Sequence, residues 1–574
     1  MGIPFFAAWL FKLFKSKILM KHVPPVDHFF IDQNCALHPE CAKIKEYYTD
    51  ISIEKLEKKM FKRVINYLIY LENYVNPSKS MMVSVDGVAP IAKMIQQRKR
   101  RYRAKDDTEL RDNIKKKYGK PVNNIWHNTV ITPSSDFMER LHIELLGHFK
   151  SRKTKIKYIY SSVKTVGEGE HGILQYIKKN IPHHETVVIY GLDSDLLMLA
   201  MASGNDDVYL LRESVQLGIK KEETEMYDPV EDVAQDLTYV SIKELKNALN
   251  QSIWEMIDRR SDRIIKLPRT TNFTNDFIVI CFLLGNDFMP HIQSIDIYNG
   301  GLDDILYAYV ECLFETNHLL TSIKDDKIII DHMMFAMLIK KLASYEHYYF
   351  TNTLPKSMEA DKKKRCFVHD PYEKELWDLE NMKNVKIDDP VELGVDSPEE
   401  YKFRYYEHYF GVVEHQEKFI EDLVGLYLEG IMWNARYYFE ECKDYRWFYP
   451  YDHSPFLSDI ARYIIKHKDI NLIKFKERPP VDPMVQLLSV LPPSCSNLLP
   501  KSYRSLVESS DSPIIDMFPR TVELDMLYKN QFWKCIPKLP VMDIDRIIKA
   551  VEKKRLTKEE IKRNETCDEF IFER

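Results

Sequence analysis

The sequence predicts an α/β protein: a mostly parallel sheet flanked by helices, followed by a second, mainly helical region. Three observations carry that prediction. Over the first 300 residues, short apolar runs alternate with long stretches of helical periodicity. Each short run ends within a few residues in an acid or a glycine. Glycine itself is scarce, 17 in 574 residues against a usual share of roughly 7%, which suits a helix-rich chain that uses glycine only where sterics demand it.

Taken in order, Phe5–Met20 is apolar but interrupted by Lys12, Lys15 and Lys17, the pattern of a docked amphipathic helix without the small-residue cleavage site of a signal peptide. Met1-Gly2 opens like an acylation signal, but Phe6 stands where Ser or Thr is wanted. His28–Asp32 (HFFID), Met81–Asp86 (MMVSVD) and Thr186–Tyr190 (TVVIY) read as strands. Helical patterns cover Ile53–Tyr74, Ala92–Arg103, Thr108–Tyr118, Asp136–Phe149 and Phe273–Leu284. The chain divides into a core over residues 1–300, a helical connector with a polar linker over 301–400, and a region over 401–574 where aromatic and proline-rich order returns.

Composition narrows the function. Nine cysteines without a CxxC pair make neither a disulfide framework nor a zinc ribbon, and the Cys35–His38–Cys41 cluster lacks a second ligand pair. A reducing, intracellular setting is the simplest reading. No run reaches the roughly 18–20 apolar residues of a membrane span, so a soluble protein is expected. The net charge of −5 argues against blanket affinity for nucleic acid. Locally, however, Lys93–Lys105 carries seven basic residues and no acid.

Four segments, Val83–Tyr102, Lys164–Gly172, Val188–Leu199 and Phe282–His291, hold six of the seventeen glycines. With Asp32 they offer seven carboxylates: Asp32, Asp86, Glu168, Glu170, Asp193, Asp195 and Asp287. Ligands of parallel sheets sit outside the carboxyl ends of strands, where Asp32, Asp86 and Asp193 fall. Converging carboxylates repel, and divalent cations relieve that cost; oxygen-only ligands select hard ions such as Mg²⁺ or Mn²⁺. Two such ions serve phosphodiester hydrolysis. The competing explanation is a set of helix caps on a solvated face, to which single acids such as Asp276 are assigned. On the helix after Asp86, Lys93, Gln97, Arg100 and Arg101 share one face. That face suits a terminal phosphate near a scissile bond, or more generally a nucleic-acid backbone.

SVDGVAPIAKMIQQRKRRY, NTVITPSSDFM (Asn128–Met138), GEGEHGI, GLDSDLLML and GNDFMPH together resemble the XRN family of 5′→3′ exoribonucleases. MGIPFFAAWL and FIDQNCALH resemble its start and first acidic motif. EEYKFRYYEHYF (Glu399–Phe410), RWFYPYDHSPFLSDI (Arg446–Ile460), QLLSVLPPSCSNLLP (Gln486–Pro500) and SPIIDMFP (Ser512–Pro519) resemble its second homology block, so the likeness covers about residues 1–565. It implies a nuclease core of the flap-endonuclease or PIN-like kind, closed by the second region. The seven acids map onto the family's metal-binding acids, and Lys93, Gln97, Arg100 and Arg101 onto its 5′-monophosphate pocket. His38 maps onto a base-stacking histidine, and Trp447 is taken as the partnering aromatic because Tyr445 replaces the first Trp of the usual WxW. On their own, His38 reads as a strand-end polar residue and Trp447 as core. Cys35 replaces a usual glycine and Gly172 a usual lysine. No counterpart of the large C-terminal extensions of cytoplasmic eukaryotic members is expected.

The resemblance implies a processive exoribonuclease acting on 5′-monophosphorylated single-stranded RNA with two Mg²⁺ ions (Mn²⁺ as the alternative), releasing nucleoside 5′-monophosphates, with mRNA decay as the process. A monomer is expected, with decapping or other RNA-processing factors as partners, no membrane association, and a cytoplasmic location favoured over a nuclear one. The alternatives are a flap-type DNA 5′-nuclease and a catalytically silent RNA-binding scaffold.

Overall fold

HFFID is buried on both faces, as a central strand of a helix-covered parallel sheet must be. The computed structural model describes the whole chain except residues 1, 2, 4, 123, 124, 153, 154, 220–227, 261, 467, 468 and 574. The acylation-like Met1-Gly2 therefore lies outside the described residues. The strands in chain order are β1 (Leu19–Met20), β2 (His28–Asp32), β3 (Ser80–Ser84), β4 (Lys157–Ser161), β5 (Val187–Tyr190), β6 (Val208–Glu213) and β7 (Leu237–Ser241). Two hairpins, β8 (Thr321–Lys324) with β9 (Lys327–Ile330) and β10 (Leu524–Asp525) with β11 (Ile536–Pro537), stand apart, and β12 (Phe570–Phe572) returns to the main sheet.

The eight-stranded sheet has the order β1-β7-β6-β5-β2-β3-β4-β12. Its five central strands are parallel, while β1, β7 and β12 run antiparallel at the edges. From β2 the chain builds outward through β3 and β4, then returns to β5 and β6 on the other side. The switch point between β2 and β5 opens a crevice at their carboxyl ends, where Ile31 pairs with Tyr190 just before Asp32.

Core helices are α1 (Phe6–Ile18), α2 (Gln33–Tyr47), α3 (Ile53–Val75), α4 (Ile91–Lys117), α5 (Asp136–Ser151), α6 (Gly169–Asn180), α7 (Asp195–Met201), α8 (Ile242–Asp258) and α9 (Thr274–Cys281). Phe29 and Ile31 face the α2, α3 and α5 side, and Phe30 faces the α1, α6 and α8 side, so strand alternation feeds two cores. Ser52 and Ser135 cap α3 and α5 by accepting from the Lys55 and Met138 amides. The two helices predicted from Ala92 to Tyr118 are one, because no glycine or proline interrupts Ala104–Asp107.

The second region supplies α10 (Gly301–Thr316), α11 (His332–Tyr348), α12 (Leu354–Lys363), α13 (Pro371–Glu380), α14 (Pro398–Phe410), α15 (Gln416–Phe439), α16 (Leu457–Tyr463), α17 (Pro483–Val490), α18 (Lys501–Glu508), α19 (Ile544–Val551) and α20 (Lys558–Arg563). Within the polar stretch expected as a linker, α13 is held to α4 by Glu375–Lys117 (2.6 Å) and Glu380–Arg111 (3.0 Å). Among the described residues, no helix is long and apolar enough to cross a membrane.

Candidate active site

Each predicted acid stands at an element boundary on the carboxyl side of the sheet. Asp32 ends β2 and accepts from the Asn34 amide (3.2 Å) and the Cys35 thiol (2.8 Å). The Cys35 side chain thus closes the first turn of α2. Asp86, just past β3, accepts from the Asn34 side chain (2.5 Å) and the Gly169 amide (2.7 Å). Beside it, a Cβ on Gly87 would fall 1.7 Å from the Thr165 carbonyl oxygen, so only glycine lets the two loops meet. Glu168 and Glu170 open α6, Asp193 follows β5 with its carbonyl held by Arg212, and Asp195 opens α7. The predicted helix to Leu284 breaks into α9 and a 3₁₀ turn. Gly285 then turns with φ +76°, where a side chain would also strike the His291 backbone, and this delivers Asp287.

The seven acids converge, and their charges act on one another. Burial, then repulsion from Asp86, pushes the Asp32 carboxyl up to about 7. Burial and Asp287 do the same to Asp195, also to about 7. Burial raises Glu170 far above the usual range, with Asp193, Glu168 and Asp195 adding to the shift against the pull of Lys93. Lys93 lies within the cluster, 2.5 Å from Glu168 and 2.9 Å from Asp287. Although Asp287 is also buried, this ammonium holds its carboxyl well below the usual range. Among the described residues, no three of these acids surround a common point as metal ligands do. The donor set nonetheless fits a hard divalent ion: it is oxygen-only, and Glu170 Oε2 and Asp195 Oδ1 are buried without a hydrogen-bond partner.

The basic helix divides by face. Arg98 and Arg103 are buried and bond carbonyls of Met517, Pro540, Phe532 and Cys535, and Lys99 pairs with Asp452; these side chains fasten α4 to the second region. The other face runs from Lys93 among the acids to Arg101, about 12 Å further along the axis. Gln97 is buried with Oε1 unpartnered, Arg101 bonds Thr132 Oγ1 (2.8 Å) and the Gln97 carbonyl (3.2 Å), and Arg100 is exposed. The His38 side chain reaches solvent. Enough protein surrounds its imidazole that burial, then Arg100 and Arg101, push it down to about 4. His38, Arg100 and Arg101 therefore adjoin.

The second region covers the acids through the C-terminal turn of α15. Tyr437 donates to Glu168 (2.6 Å), and Tyr438 sits in the field of Asp195, Glu170 and Asp287. The α15 carbonyls are taken up by α6: His171 bonds Tyr437 O (2.9 Å), Lys178 bonds Tyr438 O (3.1 Å) and Phe439 O (3.2 Å), and Gln175 bonds Glu440 O (2.9 Å). Behind the Asp86 loop, buried Gln486 accepts from the Ala89 amide (2.9 Å) and donates to the Gly87 carbonyl (3.3 Å). Trp447 is packed in the core, 7% exposed and stacked on Trp433 at 5.3 Å. Tyr445 is half-buried, its hydroxyl 3.8 Å from the position a Gly167 Cβ would take.

A family model described as the XRN 5′-3′ exonuclease N-terminus matches residues 1–214, and one described as the Xrn1 helical domain matches 269–374 and 352–574. The chain belongs to the XRN 5′→3′ exonuclease family. It is 30% identical to human 5′-3′ exoribonuclease 1 over 98% of this chain and 35% of the human protein. It is 28% identical to 5′-3′ exoribonuclease 2 of Arabidopsis thaliana over 95% of this chain and 64% of that protein, and 24% identical to 5′-3′ exoribonuclease 1 of Saccharomyces cerevisiae over 100% and 44%. The chain spans between about a third and two thirds of the length of these relatives.

In this XRN chain, sequence reasoning missed the groups that meet the acids from afar. Tyr437 lies 269 residues from Glu168, and nothing around it in the sequence marks it apart from other core tyrosines. Asn34 carried a signal, since an amide two residues after a strand-end acid reaches the next strand's loop readily. Asp276, left as a structural acid, accepts from Tyr309, Thr321 and the Leu320 amide in the core.

Proposed function

We propose that the chain is a processive 5′→3′ exoribonuclease that hydrolyses single-stranded RNA from a 5′-monophosphate and releases nucleoside 5′-monophosphates. The observation that supports this reading is the contact of α15 with the acid centre, where Tyr437 donates to Glu168, in a chain that both XRN family models match. Asp32, Asp86, Glu168, Glu170, Asp193, Asp195 and Asp287 would hold divalent cations, two Mg²⁺ or Mn²⁺ ions in our reading. Bound there, such ions supply water activation and stabilise charge on the leaving oxygen. Lys93 balances Glu168 and Asp287 and offers an ammonium to a phosphate at the same place.

Gln97, Arg100 and Arg101 hold the terminal phosphate through amide and guanidinium donors. The neutral His38 ring offers a stacking face; with Trp447 stacked on Trp433 in the core, we assign the partnering face to half-buried Tyr445. Stacking is indifferent to base identity, which suits repeated cycles along one strand. Such an enzyme consumes ends that a decapping or endonucleolytic step supplies, in mRNA decay among other processes.

The test is a time course on RNA carrying a 5′-monophosphate or a 5′-triphosphate, with and without EDTA. Loss of mononucleotides from the 5′-monophosphate strand alone, abolished by EDTA, is expected. Equal rates on both ends would remove the phosphate-pocket assignment.

A further inference from the structure

Phe5, Tyr298 and Trp533 come from three distant parts of the chain and meet at the surface. The Phe5 ring lies 5.8 Å from Tyr298 and 5.8 Å from Trp533. Lys534 Nζ stands 5.0 Å from the Phe5 ring, 5.6 Å from Tyr298 and 5.8 Å from Trp533. Lys364 Nζ is 5.4 Å from the Tyr298 ring and donates to its hydroxyl at 3.3 Å. None of the three rings belongs to a hydrophobic core, and Tyr298 and Trp533 are 48% and 49% exposed.

Phe5 reaches the cluster with φ +62°, a left-handed conformation that bulky L-residues rarely adopt. Such a conformation in an aromatic residue that gains no core burial marks a built surface. Lys534 also lies within electrostatic reach of His291, whose backbone packs on Gly285, two residues before Asp287.

We propose that this surface is a subsite for single-stranded RNA: bases 3′ of the nucleotide at the acid centre stack on Trp533 and Tyr298, and Lys534 meets a flanking phosphate, while Lys364, ion-paired with Asp361 (2.5 Å), fixes the Tyr298 ring. Half-exposed aromatic faces beside the Lys534 ammonium match bases next to a phosphate, and they bind without sequence preference. The subsite rests on the exoribonuclease reading and extends it. A second hold on the strand keeps the substrate bound while its shortened 5′ end returns to the acid centre.

The test measures binding of 5′-monophosphorylated RNAs, a tetranucleotide and a strand of about twenty nucleotides, by fluorescence anisotropy in EDTA. The quantity read is the ratio of the two affinities. Trp533→Ala should lower the preference for the long strand about tenfold, the scale of one lost stacking contact, and Trp533→Phe should keep most of it. A misfolded variant would lose both affinities and would not be rescued by phenylalanine. An unchanged ratio in both Trp533→Ala and Tyr298→Ala, with 5′-monophosphate selectivity intact, overturns the subsite and leaves the enzyme reading standing. Failure of the unmodified protein to bind either RNA overturns both.

Discussion

The Tyr437 hydroxyl donates a 2.6 Å hydrogen bond to Glu168, joining the last turn of α15 to the first turn of α6. One oxygen of Glu168 is thereby fixed by the second region, and the other faces Lys93 at 2.5 Å. The ring of Tyr437 stacks on His171 at 4.1 Å and on Trp433 at 5.1 Å, and Trp433 stacks on Trp447. The position of the carboxylate thus depends on a column of rings belonging mostly to the other half of the molecule.

Tyr437→Phe keeps that column and deletes only the hydroxyl. It should destabilise the protein by about 1.5–3 kcal/mol, the range for a hydrogen bond to a charged group. It should also raise the Mg²⁺ concentration needed for half-maximal hydrolysis. Denaturant titration and a metal titration of the rate measure the two effects. An unchanged metal requirement would reduce Tyr437 to a packing role.

Asp193→Asn should abolish hydrolysis and spare RNA affinity, because the side chain keeps its shape while losing the charge that holds a cation. Single-turnover assays paired with filter binding measure both quantities, and retained turnover would remove Asp193 from the metal set.

Arg101→Ala should cost roughly ten- to a hundredfold in kcat/KM on 5′-monophosphorylated RNA, equivalent to one charge-assisted hydrogen bond. The loss should be small on 5′-hydroxyl RNA. Equal losses on both substrates would mean that Arg101 serves the backbone generally.

Acid should loosen the α6–α15 seam. Burial holds the His171 imidazole down to about 4 in the folded protein, whereas the unfolded chain takes up that proton near pH 6.5. The unfolded state therefore binds more protons between those values. The contribution of His171 is fully present above about pH 6.5 and is lost progressively as the pH falls toward 4, by as much as about 3 kcal/mol. Asp32 and Asp195, raised to about 7, act in the opposite sense over that window, so the contribution of His171 is read as a difference: relative to its own value at neutral pH, the urea midpoint of His171→Gln should fare better in acid than that of the unmodified protein.

The central sheet was legible because HFFID, MMVSV and TVVIY are short, apolar and β-branched or aromatic, with an acid or glycine soon after. In β4, KYIYS alternates lysine, tyrosine and serine, and its burial is set by neighbouring strands rather than by local composition. The final strand FIF gains its identity only from β4 beside it. Within the site, the acids were legible by position and glycine context. The division of the basic helix was not. Arg98 and Arg101 look alike in sequence, and only the packing of the second region sends one to backbone carbonyls and leaves the other on Thr132, near His38.

Because β12 pairs with β4 in the register Phe570↔Tyr160, one sheet edge remains open until the ribosome has added some 400 residues beyond Ser161. At roughly 5–20 residues per second, that is a delay of about 20–80 s. During it, the hydrogen-bonding edge of a nearly complete sheet is available to any other extended chain. The unpaired β4 edge is therefore an aggregation hazard of the nascent protein, and shortening the interval by faster elongation should raise the soluble yield.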